Sequence, residues 1–406
     1  MKKLIPTYFF AILIFIFATF AGFVSWRTTV DDDKHFVLLA QSFIKNDLFL
    51  SPFNLPAGDY ADYKARQYLF FGPLPSITLI PLVLVWGERF PQILLSFVSL
   101  IVTFIAIFLL VNKLRFTKVD SFWLANFFVF GTVLYFVGLV NISALVVQAV
   151  GTAILFLSLL EYFTFRRWFV IGLLVAAAGA TRIQLFVVVL FFLLELWRNR
   201  NQLNFRREFF LLVIPVIICL SLLGLYNFRR FGSVFDTGYT RNVSELNKNY
   251  TNWNAGWFSP VHIPAKLYSI LLAAPETVRR GDLEFVFKFP YLRASGTQGM
   301  ALWITSPLFI YLLLAKKRPW TMSALLTLPF LILPALVYEG TGGVQYGFRY
   351  SLDFLPLLFL ILLSAFGKKL PLFAKFLIAG GIIFNGFYMF SIWESYPLLS
   401  FWQNLK

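Results

Sequence analysis

The chain has 406 residues, of which 59% are hydrophobic and only 13% are charged, and it contains 51 Phe and 11 Trp. This surplus of apolar residues exceeds what the core of a water-soluble domain buries, which excludes an ordinary soluble protein. The formal net charge is +16, but the basic residues are scattered between apolar runs, which excludes a contiguous nucleic-acid-binding surface. Because Cys219 is the only cysteine, an intrachain disulfide and a thiolate metal cluster are also excluded.

Apolar runs of roughly 20 residues recur along the chain, and each is long enough to cross a bilayer as a helix. The first run follows a short basic start, as in a secretory signal, but it is too long for one, so we expect a retained helix. The sequence predicts an all-α polytopic membrane protein with about 11 transmembrane helices. The predicted spans are 5–26, 91–112, 120–140, 144–163, 168–181, 183–197, 209–226, 300–315, 320–338, 351–366 and 371–391.

The distribution of Lys and Arg predicts the orientation of these helices. With the N-terminus in the cytoplasm, the connections on the cytoplasmic side hold fourteen basic residues. The short connections on the other side hold only Arg182 and Arg349. This asymmetry follows the positive-inside rule and predicts an extracytoplasmic C-terminus. The cytoplasmic connections are 113–119, 164–167, 198–208, 316–319 and 367–370.

The apolar stretch 73–86 is expected to stay on the outer side, because a crossing there would invert every later connection. It is short and contains three prolines, which favours an interfacial or re-entrant helix. Two long extracytoplasmic loops with surface helices then remain, at about 27–90 and about 227–299. Only these loops offer room for chemistry, and a single domain over 1–406 is the simplest division of the chain.

Three consecutive carboxylates, Asp31, Asp32 and Asp33, follow the first span directly. Apolar residues at helical spacing come next, from Phe36 to Ile44, and predict an amphipathic helix that lies on the membrane surface. The aspartates either cap this helix or include a general base that takes the proton from an acceptor hydroxyl. Their spacing alone does not decide between the two interpretations.

A second group of polar residues, Asp59, Asp62, Arg66 and Tyr68, lies later in the same loop. Asp59, Arg66 and Tyr68 are candidates for contact with an acceptor or donor. The same mixture of charges is equally typical of an ordinary solvated surface.

Arginines on the outer side are natural ligands of a phosphate group, because a guanidinium binds phosphate through two parallel hydrogen bonds. Arg349 lies at the mouth of a span, four residues before Asp353, and is either a phosphate ligand or an interfacial residue paired with Asp353. Arg182 is more simply explained as a packed residue at a helix end. The candidate phosphate ligands are Arg229, Arg230, Arg293 and Arg349.

The two histidines, His35 and His262, lie far apart and lack the paired spacing of a zinc site. No cofactor is therefore predicted with certainty, and the sequence leaves open a divalent cation held by carboxylates.

Several motifs occur in a characteristic order along the chain. They are Asp32-Asp33-Lys34-His35-Phe36 with Ala40, Tyr68-Leu69-Phe70-Phe71-Gly72-Pro73-Leu74-Pro75, Gly179-Ala180-Thr181-Arg182, Tyr226-Asn227-Phe228-Arg229-Arg230-Phe231-Gly232-Ser233, and Gly347-Phe348-Arg349-Tyr350 through Pro356. In these motifs the chain resembles the GT-C superfamily of integral membrane glycosyltransferases, close to its bacterial protein-mannosyltransferase-like and ArnT-like members.

This resemblance implies an extracytoplasmic active site, a polyprenyl-phosphate sugar donor and inversion at the anomeric carbon. It also implies that Asp32 is the general base, with Asp33 beside it. Many members carry a second acidic residue in the loop after the third span, where this chain reads Val140-Asn141-Ile142-Ser143.

The sequence thus predicts a glycosyltransferase of a bacterial cytoplasmic membrane that acts on a glycan, lipid or protein acceptor. Its expected partners are the lipid-linked sugar, that acceptor and membrane lipids, and no nucleic acid. One alternative is a transporter or flippase of lipid-linked saccharides, which would need polar residues along its spans. Another is a non-catalytic protein of envelope assembly, which the missing second carboxylate favours.

Overall fold

The computed structural model describes residues 4–28, 33–50, 59–241, 257–279, 287–293, 299–340, 342 and 345–392, and these are mostly helical. The helices are α1 (Leu4–Thr28), α2 (His35–Ile44), α3 (Leu74–Trp86), α4 (Ile93–Lys113), α5 (Lys118–Phe130), α6 (Leu134–Leu139), α7 (Ser143–Thr164), α8 (Trp168–Thr181), α9 (Val189–Arg198), α10 (Phe205–Phe231), α11 (Ile263–Leu271), α12 (Leu302–Thr305), α13 (Pro319–Val337), α14 (Leu355–Ala365) and α15 (Leu372–Ile392). Two antiparallel hairpins pair β1 (Tyr60–Tyr63) with β2 (Arg66–Leu69) and β3 (Glu276–Arg279) with β4 (Phe287–Arg293).

Five described helices are long and apolar enough to cross a membrane: α4, α7, α10, α13 and α15. Shorter apolar helices, among them α8, α14 and the stretch Tyr8–Phe23 of α1, lie beside them. Many large apolar side chains on these helices are exposed, as expected of a surface that faces lipid rather than water. The architecture is that of an all-α multi-pass membrane protein. The number of spans, predicted as about 11, stays a prediction.

Two of the predicted spans are interrupted helices. The segment 120–140 consists of α5 and α6, since α5 ends at Gly131, whose N–H donates to the Phe127 carbonyl. The segment 300–315 consists of the short α12 followed by 3-10 turns over Pro307–Leu314. Apolar composition predicts such segments but does not show where the backbone leaves α-helical geometry, because both geometries bury the same side chains.

Helix α7 lies at the centre of the bundle and α10 lies at its edge. In the most apolar window of α7, 83% of the residues are buried, against 17% in that of α10. Helix α7 packs against α4 and α8, and α8 packs in turn against α10. Polar residues at the ends of α7 are therefore surrounded by protein, whereas one side of α10 is free to face lipid.

Side-chain contacts sort the helix ends into two sets. At one end, which we call the basic end, Asp120 in the first turn of α5 contacts Lys375 of α15, and Glu195 of α9 accepts a hydrogen bond from Ser323 of α13. At the opposite end, the loop end, α7 begins and α8 ends. This alternation matches the one predicted from the basic connections, while the side that faces the cytoplasm stays a prediction.

The surface position predicted for α2 is wrong. Phe36, Val37, Leu38, Leu39 and Ala40 are five consecutive buried residues, so no polar face of this stretch is left towards water. The helix is enclosed because side chains of α3 and of α7 cover it from different sides in one apolar cluster. Helix α3, over the stretch predicted as interfacial or re-entrant, packs directly against α2.

The β1–β2 hairpin is anchored on the last turn of α10. The Tyr68 ring meets the Phe231 ring edge to face, with centroids 5.2 Å apart, and Arg230 donates to the Leu69 carbonyl oxygen at 2.7 Å. The following Gly72 passes against the end of α8, where an added Cβ would lie 2.1 Å from the Ala180 carbonyl oxygen. This close approach requires glycine and fixes the first loop above the helix ends.

Candidate functional site

A cluster of polar side chains at the loop end brings together segments that are far apart in sequence. Asp33 precedes α2, Asp59 precedes β1, Lys266 lies on α11, and Arg349 begins a 3-10 turn before α14. Asp33, Asp59 and Arg349 lie at element boundaries, where backbone groups without helical partners are available for hydrogen bonding.

Asp33 ties the start of α2 to the start of α7. Its Oδ2 accepts from the Ser143 backbone N–H at 2.7 Å, and its Oδ1 accepts from the Ser143 hydroxyl at 2.8 Å. The same Oδ1 accepts from the His35 backbone N–H at 3.1 Å and lies 2.8 Å from His35 Nδ1. Gln92 also donates to it, at 3.4 Å. The helix-capping interpretation is therefore confirmed for this carboxylate.

The pKa of Asp33 reflects these contacts. Burial alone would raise it, but the hydrogen bond and charge of His35 and the N–H groups of Ser143 and His35 hold the pKa below its ordinary value. Asp33 thus stays ionised, and its lone pairs are occupied by donors. Asn141 Nδ2 also donates to the Asp33 backbone carbonyl at 3.2 Å, so the stretch Val140–Ser143 binds both the backbone and the side chain of Asp33.

The pKa of Asp59 is shifted in the opposite direction to that of Asp33. Burial raises the pKa of its carboxyl, and the nearby negative charge of Asp33 raises it further. The positive charges of Arg349 and His35 and the Ala144 backbone N–H, which donates to the carboxylate, act in the other direction without cancelling the rise. A carboxylate whose pKa is moved towards neutrality beside a guanidinium is the kind of group that serves in proton transfer.

Arg349 is buried, and its hydrogen-bond partners are neutral groups. Its Nε donates to the Gly342 carbonyl at 2.8 Å and its Nη1 donates to Gln148 Oε1 at 3.2 Å, while the guanidinium lies 4.7 Å from the centre of the Tyr350 ring. Among the described residues, no carboxylate lies within the 4.0 Å of an ion pair with it. The predicted alternative of a salt bridge to Asp353 is wrong.

Asp353 instead pairs with Arg182 at the end of α8. Arg182 Nη2 lies 2.9 Å from Asp353 Oδ2, and both side chains are 5% exposed. Gln184 donates to the same oxygen at 3.0 Å. The prediction of Arg182 as a packed helix-end residue is confirmed, and its partner comes from a segment that is distant in sequence.

Lys266 is a second buried cation beside Arg349, and it was not predicted from the sequence. Its Nζ donates to the carbonyl oxygens of Glu339 at 3.2 Å and Gly340 at 2.7 Å. Burial lowers its pKa to about 8; the Glu339 charge opposes this shift and the Arg349 charge adds to it. The signal that points to Lys266 in the sequence is a single basic residue within an otherwise apolar helical stretch.

Tyrosines enclose the cluster on the side of the second loop. The charges of Arg182, Arg349 and Asp59 all act on Tyr239, whose pKa burial raises strongly. The Tyr239 ring also packs against that of Phe70, with centroids 4.5 Å apart. Tyr239 therefore lies between the first loop and the charged groups of the cluster.

The remaining predicted residues lie at different places. Arg230 is buried and bound to the Leu69 carbonyl and to Asn227 Oδ1, while the adjacent Arg229 is exposed. Tyr68 is buried in the hairpin, and the exposed Arg66 covers the Phe49 ring at 4.5 Å. The described contacts of Arg230, Tyr68 and Arg66 are thus with other residues of the protein, in the hairpin, in the segment before it and in α10.

Three predicted positions lie partly or wholly outside the described residues. Asp31 and Asp32 lie wholly outside them. The backbone of Arg293 is described and forms the end of β4, but its side chain is not. Where the structure describes the chain, it contains no group of three or more His, Cys, Asp or Glu side chains arranged to hold a metal ion.

Comparison with known proteins adds no assignment to this geometry. No protein-family model, curated protein or solved structure matches the chain. The resemblance to membrane glycosyltransferases rests on the motifs quoted above.

Proposed function

We propose that this protein transfers a sugar from a polyprenyl-phosphate donor to an acceptor hydroxyl on the extracytoplasmic side of a bacterial membrane. One observation carries the proposal. Asp59, a carboxylate with a raised pKa, lies in the electrostatic field of a buried arginine, Arg349, that has no described carboxylate bound to it. Proton acceptor and anion-stabilising cation thus occur together at the end of the bundle that carries the long loops.

The reaction needs both groups. The acceptor oxygen attacks the anomeric carbon, and its proton passes to a carboxylate of the first loop. The bond from the anomeric carbon to the phosphate oxygen breaks, and the lipid phosphate leaves with the bonding electrons. Arg349 and Lys266 stabilise the negative charge that develops on this leaving group, since their protein partners are neutral carbonyl and amide oxygens.

Three aspartates are assigned different parts in this proposal. Asp33, with its lone pairs occupied, positions the starts of α2 and α7. Asp59 has the electrostatic character of a general base. The resemblance to the GT-C superfamily instead assigns that part to Asp32, so the two residues are compared directly in the experiment below.

The wider proposal includes a GT-C-like fold with about 11 spans and an N-terminus in the cytoplasm. The concentration of basic residues at one end of the helices and of the polar cluster at the other supports this orientation. The acceptor class, whether glycan, lipid or protein, is left to experiment, and so is a divalent cation.

The test is donor consumption by the purified full chain in liposomes, with a panel of polyprenyl-phosphate sugars. Asp59→Asn and Asp32→Asn are compared with Asp62→Asn, an exposed aspartate on the same hairpin. We expect one donor to be consumed by the native chain and by Asp62→Asn, with a loss of about 10²-fold or more in the variant that lacks the base.

Normal turnover by both Asp59→Asn and Asp32→Asn would exclude a first-loop carboxylate as the base. Movement of intact donor across the membrane, with no donor consumed, would favour the flippase. An envelope phenotype retained after all of Asp31, Asp32 and Asp33 are replaced would favour a non-catalytic protein.

A further inference from the structure

An open cleft lies beside the polar cluster. Its walls are the segment that follows β2, the end of α8 and the second half of α10. The polar side chains of Arg182, Tyr226 and Arg230 line it, and so does Tyr239, on which the charges of Asp59 and Arg349 act.

Three hydrogen-bond donors in this cleft have no partner among the residues that the structure describes. They are Arg182 Nε, Arg230 Nε and the Tyr226 hydroxyl. Arg182 and Arg230 are only 6% and 5% exposed, so water does not freely solvate them. Since buried donors are nearly always satisfied, three orphan donors on the walls of one cleft indicate a ligand with acceptor oxygens.

The charge around the cleft favours an anion. Arg182 is balanced by Asp353 at 2.9 Å, and Arg241 by Asp236 at 2.7 Å. Arg230 donates only to the neutral oxygens of Leu69 and Asn227, and no described carboxylate lies within 4.0 Å of it. One positive charge is left over, which matches the single negative charge of a phosphodiester.

The position of the cleft favours a ligand that arrives from the bilayer. One wall belongs to α10, the helix with the smallest buried share among the five long apolar ones. At the rim, Ile183 is 51% exposed. An apolar rim beside a helix that faces lipid suits an acyl or prenyl chain, while the donors inside suit its phosphate.

We propose that this cleft binds the phosphodiester group of a membrane lipid, with Arg182, Arg230 and Tyr226 as its donors. The inference deepens the proposed function and rests on it in one respect, because a polyprenyl-phosphate sugar is such a phosphodiester. Arg182, Arg230 and Tyr226 would then hold its phosphate, while the charges of Arg349 and Lys266 act on the phosphate from the neighbouring polar cluster. Binding itself needs no sugar transfer, so it is measured separately from turnover.

The experiment measures lipid binding to the full chain in detergent by native mass spectrometry. The probes are phosphatidylglycerol, a polyprenyl-phosphate glucose, diacylglycerol with the same acyl chains, and inorganic phosphate. Arg230→Gln is paired with Arg229→Gln, its exposed neighbour, and Leu223→Trp, which fills the cleft from α10, is paired with Leu222→Trp, which points away from it. The Trp pair keeps the test valid if Arg230→Gln loosens the hairpin.

We expect both phosphodiester lipids to bind the native chain and both control variants. Arg230→Gln and Leu223→Trp should bind them at least about ten-fold more weakly, the loss expected for charge-assisted hydrogen bonds. Diacylglycerol should not compete. A preference for the polyprenyl lipid identifies the source as the sugar donor, and equal affinity identifies a general phospholipid.

Equal binding by Leu223→Trp and Leu222→Trp would overturn the proposal, as would inorganic phosphate that binds as tightly as the lipids. Lipid binding at the cleft without consumption of any donor would leave the cleft assignment standing and reject the transferase. Donor consumption that is unchanged in Leu223→Trp would leave the transferase standing and reject the cleft as the site that holds the donor.

Discussion

The two ends of the helix bundle differ in how they hold buried charge. The loop end contains the buried Arg182–Asp353 ion pair, but it also contains buried cations that have no described carboxylate as a direct partner. At the basic end, the buried carboxylates of Glu161, Glu195 and Asp120 each form an ion pair with a nearby cation. At the loop end, three buried cations are held by carbonyl, amide or ring groups, with no described carboxylate as a direct partner. The basic-end pairs are Arg198–Glu195, Arg167–Glu161 and Lys375–Asp120, and the loop-end cations are Arg230, Lys266 and Arg349.

The difference separates structural from functional charge. An ion pair largely cancels its own field and stabilises the buried carboxylate that takes part in it. A carbonyl oxygen satisfies the hydrogen bond of a cation but leaves most of its charge, so the field stays available to an anion. The same residue types therefore stabilise the fold at one end and prepare an anion site at the other.

The largest expected effect comes from removing a cation at each end. Arg349→Gln should reduce donor turnover by about 10²-fold or more, because Arg349 is the described arginine whose charge acts on Asp59. Arg198→Gln should leave turnover per folded molecule close to that of the native chain. The measurement is the initial rate in liposomes, normalised to folded protein by gel filtration in detergent.

If Arg198→Gln lowers turnover as strongly as Arg349→Gln, the separation of the two ends is wrong. An Arg349→Lys variant adds a finer test. It keeps the charge but loses the planar fork, so we expect partial activity between that of Gln and that of the native chain.

The second effect concerns stability at the basic end. Glu195 has no exposed side chain, and it interacts with Tyr162, Arg198 and Ser323. Arg198→Ala leaves this carboxylate buried without its cation, which should lower the free energy of unfolding by about 2 kcal/mol. Arg167→Ala removes an exposed partner of Glu161 and should cost less.

Unfolding of both variants is followed by thermal melting in detergent at one pH. Equal melting temperatures for Arg198→Ala and the native chain would show that the Arg198–Glu195 pair does not stabilise the fold. The more exposed Arg167 is the internal reference, since the same substitution there changes solvent-screened charge.

The third effect is the pH dependence of turnover. A general base works only when deprotonated, so activity should fall as the pH drops through the raised pKa of Asp59, above the usual carboxyl value of about 4. Lys266 loses its proton as the pH rises through about 8, and its stabilisation of the leaving phosphate should then disappear. The rate profile should therefore be bell-shaped.

The variant Lys266→Met tests which group causes the fall of the turnover rate at alkaline pH. This variant should be slower at neutral pH and should lack the fall near pH 8, because the group that titrates there is gone. An unchanged alkaline limb would assign that titration to another group.

The sequence predicted the helices better than the site, for physical reasons. Apolar runs report burial in protein or lipid, so α4, α7 and α15 lie close to their predicted positions. Asp33 and Asp353 each have a partner more than one hundred residues away along the chain, at Ser143 and Arg182 respectively. Local spacing holds no information on such contacts.

The adjacent arginines of α10 show the same limit. Arg229 and Arg230 were equivalent in the sequence, but a step of about 100° around the helix leaves one exposed and the other buried under the hairpin. The choice depends on where β2 docks, which the sequence did not predict. Lys266 was missed because burial, and not its neighbours in sequence, gives it its character.

The smallest expected effect lies in the turn of the hairpin that begins beside Asp59. Lys64 and Ala65 occupy the two-residue turn with φ of +48° and +57°, a left-handed geometry that favours Asn and Gly. Ala65→Gly should stabilise the protein by about 0.5–1 kcal/mol, since the strain of a Cβ in this region disappears. Thermal melting measures the gain.

Ala65→Val is the opposing control, because a β-branched residue tolerates this region least and should lower the melting temperature. Turnover is the more informative measurement. The hairpin is anchored by Phe231 and Arg230 and not by its turn, so Asp59 should keep its place in both variants. Turnover that follows turn stability would mean that the loop end is positioned by the hairpin tip, whereas unchanged turnover assigns that positioning to the contacts with α10.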